Sequence, residues 1–195
     1  MLHFIYAQPP LLIIFLMAVA LALWGCRAAK IHMTLHWNRG NLILSVPMAI
    51  AILYTTILSR SEGNTGLVLT PFAALAAARQ QPELYREMLM NVFLFFPLGL
   101  TLSNALPRTW HRWLRIALTT LTGCVLSVGI EYAQYRFALG MAETDDVICN
   151  TLGAFVGASS LLLAHAMEKH KERPTTMTLT ATETQFLHIA KAAVS

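Results

Sequence analysis

Five apolar stretches of membrane-spanning length follow one another along this chain: 9–26, 41–58, 88–106, 116–138 and 147–167. A helix needs about 20 mostly apolar residues to cross the hydrocarbon core of a bilayer. A helix also satisfies its own backbone hydrogen bonds, which lipid cannot do. With 56% hydrophobic residues, 12% charged residues and a mean hydropathy of +0.55, the chain reads as an integral membrane protein. The expected fold class is all-α: a polytopic membrane helical bundle of about five transmembrane helices plus one short interfacial or re-entrant segment.

The segments differ in ways that matter. No positive charge precedes the first run, whereas Arg27 and Lys30 follow it, which fits a retained helix and not a cleaved signal. Pro47 in the second run and Pro97 in the third each remove a backbone donor and bend their helices. Residues 67–78 are too short to span, and Thr70-Pro71 is read as the start of a short interfacial or re-entrant helix. Arg79, Glu83, Arg86 and Glu87 form a mixed-charge collar ahead of the third span. The basic, aromatic stretch 107–115 is read as an anchor at headgroup level, not a nucleic-acid site. His32 and His36, four residues apart, are taken as interfacial residues. Cys26, Cys124 and Cys149 lack metal-type spacing and are taken as small buried residues. The transmembrane bundle is assigned to residues 1–168, and 169–195 to a polar cytoplasmic tail that is expected to be disordered.

Lys and Arg cluster in the first linker, in 108–115 and after the last span, while 136–146 carries one arginine against three acids. By the positive-inside rule the N-terminus lies outside and the C-terminus is cytoplasmic. Glu131 is then roughly 26 Å along its helix from Leu114, near the outer edge of a core about 30 Å thick. Asn91, Glu131, Gln134, Asp145, Asp146 and Asn150 all fall at this outer level, and the 70–72 segment lies on the same side. Such groups are costly in a membrane and mark functional sites by default; the bland reading is that they cap helices and hold the bundle. In span four, Thr120, Gly123, Ser127, Glu131 and Gln134 share a helical face, and in span five so do Asp146, Asn150, Gly153 and Gly157. Gly153 and Gly157 form a G-x-x-x-G pair, expected to let span five approach span four. Gly99 and Pro71 join Pro97, Gly153 and Gly157 as structural positions.

Several of these blocks carry a family resemblance. Leu69-Thr70-Pro71-Phe72, the run from Asn91 through Pro97 to Gly99, Glu131-Tyr132-Ala133-Gln134 and the run from Asp145-Asp146 through Asn150 to Gly153 resemble the VanZ-like integral membrane family over roughly 42–165. The resemblance implies a bacterial envelope protein; the family's first-described member is associated with resistance to the glycopeptide teicoplanin. The family often carries an arginine shortly before its acidic pair, where this chain has Gly140-Met141. Here Arg136 or another residue must supply that charge, or the step is lacking.

The leading expectation is a binding protein that takes an envelope lipid, a precursor or a glycopeptide at an outer-leaflet pocket of acids and amides. Tyr132, Tyr135, Phe72 and Phe93 are its aromatic neighbours. Membrane lipids are expected partners, oligomerisation is open, and nucleic acid is not expected. An alternative is a membrane-embedded enzyme with Glu131 or Asp146 as general acid or base, against which no Ser/His/Asp set or H-E-x-x-H motif is present. A small transporter is a third reading, motivated by the two prolines. No cofactor is expected; Glu143, Asp145 and Asp146 offer oxygen ligands for Ca²⁺ or Mg²⁺, but read more simply as a solvated acidic loop.

Overall fold

The computed structural model describes residues 37–58, 60 and 66–172. The first expected span, His32 and His36, Cys26 and the tail beyond Glu172 lie outside the described residues. Within them, four helices are long and apolar enough to cross a membrane: Arg39–Leu58, Pro82–Ala105, Arg112–Arg136 and Thr144–Leu163. They correspond to the second to fifth apolar runs.

Helix α1 covers Trp37–Leu53 and widens into a π-helical turn over Tyr54–Leu58. The hydroxyls of Thr55 and Thr56 bond back to Ala51 and Ile52 carbonyls through this change of pitch. A three-residue strand β1 (Gly66–Val68) and a short helix α2 (Ala73–Ala77) follow. Helix α3 is Pro82–Ala105, with proline at its first position, where the missing N–H costs nothing. It takes in Glu83, Arg86 and Glu87, which the sequence places in a collar before the span. Helix α4 is Arg112–Arg136, strand β2 is Met141–Glu143, and helix α5 is Thr144–Glu172. The chain divides into two compact units, one ending at Leu161 and one beginning at Leu162; the described part of the second is the end of α5.

The strands are an addition to the all-helical expectation. They pair in parallel, Gly66 with Met141, Leu67 with Ala142 and Val68 with Glu143. Three residues are too few to show the period-two alternation by which a strand is read from sequence.

Met48 and Ile52 of α1, Leu94, Phe95 and Leu98 of α3, Ile130 of α4 and Ala154 of α5 form one buried cluster. The glycines set how closely the helices meet around it. A Cβ on Gly153 would collide with the Val92 carbonyl oxygen, one on Gly157 with that of Phe96, and one on Gly99 with that of Ala154. The G-x-x-x-G pair therefore mates α5 with α3, not with α4 as the sequence suggested. Helix α4 meets α5 through Gly123, where an added Cβ would lie 2.5 Å from the Ala154 Cβ. Pro97 is buried in α3, and the Thr101 hydroxyl donates to its carbonyl at 2.9 Å.

Candidate functional site

The polar residues gather where α4 ends and α5 begins. Helix α4 stops through the backbone: the Phe137 N–H donates to Ala133, the Leu139 N–H donates to Gln134, and Ala138 sits left-handed at φ 56°. This is a Schellman-type ending, made with alanine where glycine is usual. Gly140 follows at φ 145°, a conformation that suits glycine, and β2 then leads into α5.

Asp145 is buried, and its two carboxylate oxygens accept the Phe72 N–H at 2.5 Å and the Ala74 N–H at 2.7 Å. Phe72 has φ 62°, so this carboxylate holds a strained turn at the start of α2. An aspartate at the head of α5 thus caps a different helix, the one that begins just after Pro71. That helix starts at Ala73, slightly later than the Thr70-Pro71 expectation.

Asp146 accepts from the Asn91 amide of α3 at 2.7 Å. Glu131, 7% exposed, accepts the Glu143 backbone N–H at 3.0 Å and so ties β2 to α4. One turn deeper on each helix, the Asn150 amide donates to the Ser127 hydroxyl at 2.9 Å. Gln134 turns to α1, donating to the Thr56 carbonyl inside the π turn at 3.0 Å. Glu131, Asp146 and Asn150 hydrogen-bond to different partners, Glu143, Asn91 and Ser127, while Glu131 and Asp146 remain near enough to act on one another electrostatically. The Gln134 Oε1 and Asn150 Oδ1 atoms are buried without a hydrogen-bond partner. Phe72, Phe93, Tyr132 and Tyr135 are all exposed.

Charge at this end is unbalanced. Glu131, Glu143 and Asp146 stand close enough to act on one another electrostatically, Glu87 adds to the field at Glu143 and Asp146, and Arg60 is the cation that opposes all three. The Glu143 carboxyl is held above the usual carboxylate range by burial, then by Asp145 and Glu87, with Arg60 pulling the other way. Arg60 also comes close to Gly140. Its Nη1 lies 2.8 Å from where a Gly140 Cβ would be; Arg60 and Arg136 are both exposed. The nearby cation therefore comes from the linker after α1. Nothing in the sequence marked Arg60, because it lies in a polar loop some eighty residues away. Asp145 is committed to α2, and among the described residues no group of three or more His, Cys, Asp or Glu is placed to hold a metal ion.

A second charged residue, with nothing in the sequence to single it out, lies at the other end of α4. Arg115 is buried, and its Nε and Nη2 donate to the Ser103 carbonyl at 3.1 and 2.6 Å. That carbonyl belongs to the last turn of α3, where helical partners run out. Asn104 donates to Leu100 at 2.7 Å beside it. The stripe on α4 is also adjusted at this end: Thr119 is buried, and Thr120 is only partly covered.

Comparison with known proteins bears on both ends. The protein named VanZ from Enterococcus faecium is 36% identical over 97 residues, covering 47% of this chain and 49% of that protein. The chain thus spans about half the length of that relative. No solved structure matches significantly. A family model described as VanZ/LLP1 matches residues 11–165, from well ahead of α1 into the far part of α5. Since that match takes in four membrane-length helices and every residue of the polar end, the chain belongs to the VanZ/LLP1 family of integral membrane proteins.

Proposed function

We propose that this protein sits in the cell membrane with its N-terminus outside and its C-terminus cytoplasmic. At its outer, acid-rich end it binds the polar part of an amphiphilic envelope molecule: a lipid, a wall precursor or a glycopeptide. Through that binding it contributes to glycopeptide resistance of the teicoplanin type. The observation that carries this reading is the excess of carboxyl groups. Arg60 is the one described cation that acts on Glu131, Glu143 and Asp146, while Glu87 adds negative field at Glu143 and Asp146. Such a surplus in a membrane setting is costly unless it serves a ligand, and it favours amine- or hydroxyl-bearing groups. The likeness to Enterococcus faecium VanZ supports the envelope assignment.

The hydrogen bonds of the same residues favour a second reading, in which they only fasten α2 and β2 onto the bundle. Glu131→Gln and Asp146→Asn separate the two, because each amide keeps an oxygen for the Glu143 N–H or the Asn91 amide. Under the binding reading, both variants keep their stability to within about 0.5 kcal/mol and lose teicoplanin tolerance in growth assays. Folded variants with undiminished tolerance overturn it. Orientation is read with single cysteines at Asn64 and His111 in a background lacking the native three. An impermeant thiol reagent should label only Asn64→Cys in intact cells, and labelling of His111→Cys instead reverses the assignment.

A further inference from the structure

At the end of α4 away from the acids, the apolar surface is furrowed. A groove of about 540 Å³ runs between α4 and α5, lined by Trp113, Ala117, Leu121 and Cys124 on one face of α4 and by Phe155 of α5. Trp113 and Leu121 are each 58% exposed and Phe155 44%, so the lining presents large apolar area outward. In a membrane that area is filled by lipid, and the surrounding charge decides which lipid. Arg112 directly precedes Trp113, and Arg108 and His111 stand in the same short connection, all three exposed. No acidic residue occurs from 88 to 130. The indole of Trp113 suits the headgroup level, where such rings collect.

We propose that this groove is a binding site for an anionic phospholipid, its acyl chain along Trp113, Leu121 and Phe155 and its phosphate against Arg108 and Arg112. A zwitterionic lipid would bury the same apolar area, but its own ammonium would offset the attraction. Basic clusters beside the membrane-entry points of helices select anionic headgroups on this ground, at about fivefold in affinity for each arginine near the surface. Arg115 does not share in the site: it is buried and directed to the Ser103 carbonyl. The site is independent of the acid-rich end and does not rest on what that end binds.

The test uses the full chain with Trp24, Trp37 and Trp110 changed to Phe, leaving Trp113 as the only indole. The protein is reconstituted in phosphatidylcholine vesicles with rising fractions of brominated phosphatidylglycerol or, separately, brominated phosphatidylcholine. Brominated phosphatidylglycerol should quench Trp113 fluorescence at a mole fraction about tenfold or more below that needed for the zwitterionic lipid. Arg108→Gln with Arg112→Gln should bring the two curves together, while Arg108→Lys with Arg112→Lys should keep them apart, which separates charge loss from misfolding. Cys124→Phe, which fills the groove, should weaken quenching by both lipids. Equal quenching by the two lipids in the parent protein overturns the proposal, as does a phosphatidylglycerol preference that survives loss of both arginines.

Discussion

Both ends of α4 bury charge, by opposite means. At its start, Arg115 directs two nitrogens at one carbonyl, that of Ser103, and pins the end of α3 to the beginning of α4. Near its finish, Glu131 shares its surroundings with Glu143 and Asp146, with only Arg60 of the described residues opposing them. The first arrangement is local and complete: a helix end lacks partners, and an arginine fork supplies them. The second crowds carboxyl groups together out of water, which folding alone does not reward. A buried charge in a membrane bundle is thus no uniform sign of function; the balance of its neighbours decides.

The sharpest way to break the comparison is to remove the seam on which both ends depend. Gly153→Leu drives a side chain into the Val92 carbonyl, which is backbone and cannot swing aside. It should cost at least the about 1–3 kcal/mol typical of overpacking and disable both ends, whereas Leu152→Ala on the exposed side should cost under about 0.5 kcal/mol. Thermal unfolding in detergent reads the difference, and a Gly153→Leu protein that melts like the parent would show that α3 and α5 do not meet there. Next in size is Arg115→Met, which leaves the buried Ser103 carbonyl without its donors, at about 1–3 kcal/mol. Under the proposed function, stability and teicoplanin tolerance should fall together, in contrast to Glu131→Gln, where tolerance alone should fall. If Arg115→Met lost resistance with an unchanged melting temperature, the two ends would be alike in kind.

The smallest effect concerns pH. The folded state holds the Glu143 carboxyl above its ordinary range, so folding favours its protonated form. That contribution is fully present below the unfolded carboxylate pKa and is lost as pH rises through the raised folded value. Glu143→Gln should therefore melt with the parent in acid and above it at neutral pH. A variant that melts below the parent at neutral pH would mean that the ionised carboxylate is stabilising, and that Arg60 outweighs burial.

Much of the fold is legible in the amino-acid sequence. Helix rise and charge counting place Asn91, Glu131 and Asp146 at one level, and the structure joins Asn91 to Asp146 directly. The partners are not legible there. Asp145 and Asp146 both stand at the start of their own helix, yet Asp145 holds Phe72, 73 residues away. Gly153 and Gly157 mark a close approach, but a G-x-x-x-G pair does not say which helix approaches, and it proves to be α3. Arg115 ends a basic, aromatic stretch whose composition suggests an exposed anchor; it lies instead in the first turn of α4, and its burial appears only once the end of α3 is beside it.

The amino-acid sequence by itself determined that the chain is a membrane protein of long helices, where its described spans lie, and which few residues are too polar for lipid to accept without a partner. These properties are sums over local residues: hydropathy over a window, rise per residue, the period of a helical face. Tertiary structure alone decided that Arg60 faces Gly140, that Gln134 reaches into the π turn at Thr56, that Glu131 holds β2, and that the acids gather with one arginine among them. Each of those depends on which helix packs beside which, and packing is set by shape at the glycine contacts across the bundle, where the local pattern of any single segment carries no information about its neighbour.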